Sequence, residues 1–188
     1  MLTAAPSLVP NLPYSPVKDF RPVSLALRTW HIVLGSPKHP YQTLAALLAA
    51  AKQAPGTLNF GSGGQGSAVH IVAERIVRGA DAKMLHVPYR GSAPALQDLS
   101  GGLIHMLVET MASGMQSARS GSARPLAVSS PQRLPAFPDI PTIAESGLPG
   151  FTSSAWFGIV APAGAPDAVV QKLNASTTAA LKEPELLT

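Results

Sequence analysis

The residues best suited to chemistry lie between Leu58 and Glu74, where a short apolar run meets a glycine-rich turn and then a helical pattern. Gly61, Gly63, Gly64 and Gly66 permit backbone angles closed to other residues, and such a turn lets an anion approach the amides that open the following helix. Ser62 and Ser67 add hydroxyls, with Ser67 placed to cap the helix. The stretch therefore offers hydrogen-bond donors and no evident nucleophile, general base or metal ligand set. An isolated turn of this kind is more often plain structure than an anion site, so both readings stand at this point. A Walker loop is excluded because Gly66-Ser67-Ala68 has no lysine. A dinucleotide fingerprint fits Gly61, Gly63 and Gly66 only loosely, and the acid at the required separation, Asp81, falls in a polar turn.

Other reactive side chains give weaker signals. His70 can reach a ligand carboxylate, although a histidine there more commonly packs on its neighbours. His31, His86 and His105 lie in or beside apolar runs and His39 lies among prolines, a spacing without a metal motif. Glu109 at a strand end has no second carboxylate for acid–base work and reads as a partner for Arg90 or as a cap. Trp156 and Phe157 read as packing or hinge residues.

The elements that must position these residues alternate. Strands are expected at Trp30–Leu34, Leu58–Phe60, Met84–Val87, Ile104–Val108, Leu126–Val128 and Trp156–Ala161. Helices are expected at Thr43–Gln53, Ser67–Arg78, Ser92–Leu99, Ala112–Arg119, Thr142–Ser146 and Pro166–Leu181. This order predicts an α/β fold with a mostly parallel sheet. Ser92 reads as an N-cap with Pro94 in the first turn, Thr142 with Glu145 as a capping box closed by Gly147, and Pro166-Asp167 as a helix start. In open α/β sheets, ligands bind beyond the carboxyl ends of the strands. The loops after Phe60, Val87 and Val108 are thus expected to converge, bringing Ser62–Ser67, Tyr89–Ser92 and Glu109–Ser113 to one crevice.

Composition narrows the partners. The 188 residues can bury a core without staples, and the absence of cysteine excludes thiol catalysis and cysteine-bound zinc. A formal charge of +4 is spread over 14 dispersed basic residues with few aromatics, which suits small anions better than nucleic acid. No run approaches the ~18 apolar residues of a membrane span, and Met1-Leu-Thr-Ala-Ala-Pro lacks the look of a secretory signal. No cofactor is expected.

The order of four segments adds a resemblance. Phe60-Gly-Ser-Gly-Gly-Gln-Gly-Ser67, Val87-Pro-Tyr-Arg-Gly-Ser-Ala-Pro-Ala95, Leu134-Pro-Ala-Phe-Pro-Asp-Ile-Pro-Thr-Ile-Ala-Glu-Ser-Gly-Leu-Pro-Gly150 and Ala155-Trp-Phe-Gly158 resemble the substrate-binding proteins of tripartite tricarboxylate transporters, the Bug-type receptors. Leu12–Phe20 matches as well. The resemblance implies a periplasmic, type II two-lobed binding-protein fold. It closes on a small mono- or dicarboxylate and hands it to membrane permease subunits, without catalysis or membrane insertion of its own. It also implies ligand contacts from Ser62, Gly63, Gly66, Ser67, Gly91, Ser92, Thr110 and Ser113. His70 and Arg90 are further candidates, Arg90 standing where the family usually has lysine.

The departures set further expectations. The chain reads as truncated at both ends relative to the family, lacking a signal and first strand and stopping before the last elements. Gly101-Gly-Leu-Ile-His105 replaces the usual Gly-Gly-Gln-Val-Asp. The expected division is residues 1–23 as partial first lobe and hinge, 24–153 as the ligand-binding second lobe, and 154–188 as hinge return and partial first lobe. Such a chain alone is expected to bind carboxylates weakly or not at all. The competing readings are an α/β enzyme acting on a small anionic substrate and a non-binding remnant serving as an interaction module.

Overall fold

The computed structural model describes Pro6 and residues 11–183. Expectations resting on residues 1–5, 7–10 and 184–188 lie outside the described residues. The chain divides into two compact units, Thr29–Ala155 and the pair Met1–Arg28 with Trp156–Thr188.

Thr29–Ala155 is built on a sheet of order β3-β2-β4-β1-β5. Its strands are β1 (Phe20–Gly35), β2 (Asn59–Ser62), β3 (Leu85–Pro88), β4 (Met106–Thr110) and β5 (Arg124–Val128). β2 pairs in parallel with both β3 and β4, whereas β1 runs antiparallel to β4 and β5. The sheet is mostly parallel, as the alternation predicts, with β1 the exception. The helices are α1 (Leu44–Gln53), α2 (Ala68–Gly79), α3 (Ser92–Gly101) and α4 (Met111–Arg119).

The strands are apolar on both faces because both faces are covered. Val33, Phe60, Met106 and Val108 pack with Leu44, Leu47, Ala73 and Ile76 of α1 and α2. Ile32, Leu34 and Leu107 pack with Ala95 and Leu99 of α3 and with Met111 and Met115 of α4. Connection handedness explains the split. The path from β2 to β3 moves outward, the path from β3 to β4 steps back across β2, and right-handed crossovers in opposite directions put their helices on opposite faces. β2 therefore lies beside strands whose following helices depart to the other face, which makes its carboxyl end a topological switch point.

Local chemistry explains most boundaries. Thr43 and Ser67 cap α1 and α2, accepting from the amides of Ala46 and His70. Asp81 has a φ of 49° in the turn after α2. Two expectations need correction. Gly91, not Ser92, caps α3, with a φ of 112° that favours glycine, and Ser92 enters the first helical turn. The Thr142–Ser146 helix is a turn. Its capping-box bonds do form, Thr142 N to Glu145 Oε2 at 2.7 Å and Glu145 N to Thr142 Oγ1 at 3.0 Å. However, Val128 N donates to Pro141 O and Ile143 N to Val128 O, each at 2.8 Å, so this segment is tied to β5 as it starts. Gly147, with a φ of 105°, then ends it.

β1 is longer than the expected Trp30–Leu34 because the Val23, Leu25, Leu27 alternation continues the strand toward its N-terminus. In the second unit Ala163 N donates to Asp19 O at 2.9 Å, and Arg21 pairs with Asp167 at 2.8 Å as α5 (Asp167–Ala180) begins. α5 has no buried residue among those described.

Candidate functional site

Parallel pairing brings three strand ends to one edge. Ser62 lies opposite Pro88, and Gly61 lies opposite Leu107, from which β4 runs on to Thr110. α2, α3 and α4 each start beyond one of these strands, so three helix N-termini collect at that edge. Their first-turn amides have no intrahelical acceptor, and each N-terminus stabilises an exposed carboxylate by about 0.3–1 kcal/mol.

The first two loops touch. A Cβ added to Gly63 would lie 3.5 Å from Gly91 C and 3.6 Å from Ser92 N, and Tyr89 N donates to Ser62 O at 2.9 Å. Gly63, Gly91 and Ser92 thus form one continuous backbone surface. Tyr89 OH donates to Asp98 Oδ2 at 2.6 Å. Burial, the bond to Asp98 and the charge of that carboxylate push the phenol up to about 12.

Inside the glycine loop the side chains brace the backbone. Ser62 is fully buried, and its Oγ accepts from Gly64 N at 3.3 Å and lies 2.7 Å from His86 Nε2. The expected donation from this hydroxyl to a ligand is therefore corrected, because Ser62 points into the protein. Ser67 N donates to Gly64 O at 3.1 Å, while Gly66 N donates to His70 Nδ1 at 2.9 Å with Gly66 at a φ of 73°. His70 packs on its neighbours. Its ring stacks on His86 with centroids 3.8 Å apart, and Phe60 lies against the pair. Burial, then the nearby His70, lower the His86 pKa, with Glu74 opposing.

Thr110 and Ser113 join the edge from β4 and α4. Ser113 Oγ donates to Glu109 Oε2 at 2.8 Å and lies 3.1 Å from Thr110 Oγ1. Their described hydrogen bonds do not reach the glycine loop. Glu109 is 3% exposed, so it does not pair with Arg90, which is exposed and has no ion pair among the described residues. Glu109 Oε1 has no hydrogen-bond partner among the described residues.

Sequence reasoning missed His86, which is set beside Phe60 by the pairing of β2 with β3. No local pattern marks it. Ser62 Oγ beside His86 Nε2 has the spacing of a nucleophile and its base, yet the complete burial of Ser62 keeps a substrate carbonyl away. No group of three or more His, Cys, Asp or Glu suited to a metal occurs among the described residues, and no described helix is long and apolar enough to cross a membrane.

An α/β lobe with helix N-termini gathered at a switch point defines a class of anion-binding domain. The family model described as tripartite tricarboxylate transporter family receptor matches residues 1–188, and the chain belongs to that family. Solved structures agree on the fold, which is that of periplasmic binding proteins. An R. palustris protein solved with adipate is 33% identical with a TM-score of 0.91, covering 98% of this chain and 62% of its own. The periplasmic binding protein BugD is 32% identical with a TM-score of 0.91, covering 99% and 62%. MatC from Rhodopseudomonas palustris, solved with bound malate, is 32% identical with a TM-score of 0.88, covering 97% and 62%. The chain spans about half the length of the curated relatives it matches, 53%, 54% and 52% of the first three.

Proposed function

We propose that this protein is a periplasmic solute receptor that captures a small organic carboxylate for permease subunits of a tripartite transporter, without catalysis. The observation that carries the reading is the backbone surface of Gly63, Gly91 and Ser92 at the helix N-termini that open beyond β2 and β3. Membership of the receptor family and the adipate and malate bound by two structural neighbours support the same ligand class.

The ligand-binding lobe in this reading is Thr29–Ala155. Its contacts come from the backbone of Gly63, Gly91 and Ser92, with Gly66 held in place by His70. Ser67, Thr110 and Ser113 lend hydroxyls and exposed Arg90 lends charge. Ser62 and His70 act from behind the loop. Titration calorimetry with adipate, malate and other organic acids, paired with mass spectrometry of the mixture, tests the proposal. The expected result is weak, saturable binding with the acid recovered unchanged.

Conversion of an ester probe that is lost in Ser62→Ala would overturn the proposal.

A further inference from the structure

His70 and His86 stack under the glycine loop, and each holds a different part of it. A backbone amide can only donate, so the Gly66 N–H to His70 Nδ1 bond of 2.9 Å requires a bare Nδ1 lone pair. His70 in this arrangement is neutral, with its proton on Nε2, 3.7 Å from Glu74 Oε1. His86 Nε2 meets Ser62 Oγ at 2.7 Å, and Ser62 in turn accepts from Gly64 N. The two imidazoles, with centroids 3.8 Å apart, serve the loop unequally: only Gly66 N needs a bare ring nitrogen, because Ser62 Oγ can accept from both Gly64 N and a protonated His86 while donating to Gly64 O at 3.1 Å.

We propose that His70, stacked on His86, is a proton-released brace of the glycine loop, positioning it for carboxylate when its Nδ1 is bare and freeing Gly66 when Nδ1 is protonated. The inference rests on the receptor reading for what the loop binds, but the brace itself is a property of the empty loop. A proton on His70 Nδ1 occupies the lone pair that Gly66 N–H uses, so the bond and the charge cannot coexist. Stacking opposes charging both rings at once, because a cation on either ring disfavours one on the other.

The charged and titratable groups that face the pair are few among the described residues. α2 contributes Glu74, with Arg78 bonded to its other oxygen at 2.9 Å, and β3 contributes His86. β2 contributes Phe60, which is uncharged. Burial already disfavours the charged form of His86, consistent with a pair built to be neutral.

The test follows the Gly66 amide and the two imidazole rings by NMR on the full chain without ligand, from pH 8 to pH 5.5. The Gly66 resonance is expected to move together with the His70 ring resonances, and its protection, corrected for intrinsic exchange, is expected to fall about fivefold, the worth of one neutral hydrogen bond. In His70→Asn, whose Oδ1 replaces Nδ1 as an acceptor that does not titrate, Gly66 is expected to stay protected throughout. A Gly66 amide indifferent to His70 titration, or a His70→Asn profile matching wild type, overturns the brace. Malate is then titrated at both pH values in wild type and His70→Asn, so that protonation of malate itself is common to the two proteins. Affinity is expected to fall about fivefold in acid for wild type, through that same hydrogen bond, and to stay level in His70→Asn. Malate binding that is equal at both pH values in wild type also overturns the brace. A Gly66 amide coupled to the His70 ring with no malate binding at either pH instead upholds the brace and counts against the receptor reading for malate.

Discussion

Ser62 and Ser67 stand at the two ends of one loop and contribute differently. Ser62 is buried and serves Gly64 N and His86, whereas Ser67 is partly exposed and caps the amide of His70. Ser62→Ala leaves the part-buried Gly64 N–H and the His86 ring without their partner, a cost of about 1–3 kcal/mol, while Ser67→Ala removes an N-cap worth about 1 kcal/mol. Urea unfolding of the two variants should therefore show the larger loss at Ser62, and an equal or smaller loss there would mean that its hydroxyl is not the brace described. The cap at Ser67 was legible in the sequence because capping is a local pattern. The inward turn of Ser62 was not, since it depends on His86, which comes alongside only when β3 pairs with β2.

Among the elements, α4 starts after Thr110, carries Ser113 to the shared strand-end edge and lies unusually close to the sheet. A Cβ added to Gly114 would collide with Ile32 Cγ2 and reach 3.5 Å from Glu109 Cβ. Alanine is about 1 kcal/mol better than glycine in a helix interior, but overpacking a filled core costs about 1–3 kcal/mol. Ile32 is fully buried and cannot swing aside, so the collision prevails. Gly114→Ala is expected to lower the denaturation midpoint, and an increase would show that α4 can slide outward. The α/β alternation and most helices could be read from the sequence because apolar period and caps are local. The antiparallel place of β1 could not, because His31 meets Thr110 and Ile32 meets Val128 far along the chain.

At the scale of the whole molecule, burial is uneven. α1 buries Leu44, Leu47, Leu48 and Ala51, whereas α5 has no buried residue among those described and exposes Val169 and Leu173. Local opening costs least where few apolar contacts hold an element. Native-state hydrogen exchange should therefore find the α5 amides at least tenfold less protected than those of α1. Equal protection would show that something covers α5 in solution.

The position of β1 also bears on how the chain acquires its fold. Its final residues are the first of the Thr29–Ala155 sheet to leave the ribosome, yet their neighbours are β4 and β5, the last strands of that sheet to be made. Pairings between distant segments wait on slow loop closure. Ile32, Val33 and Leu34, each fully buried in the finished protein, must stay unpaired through most of synthesis. This interior strand is therefore the most aggregation-prone segment of the sheet on the nascent chain, and the one a chaperone would have most reason to hold.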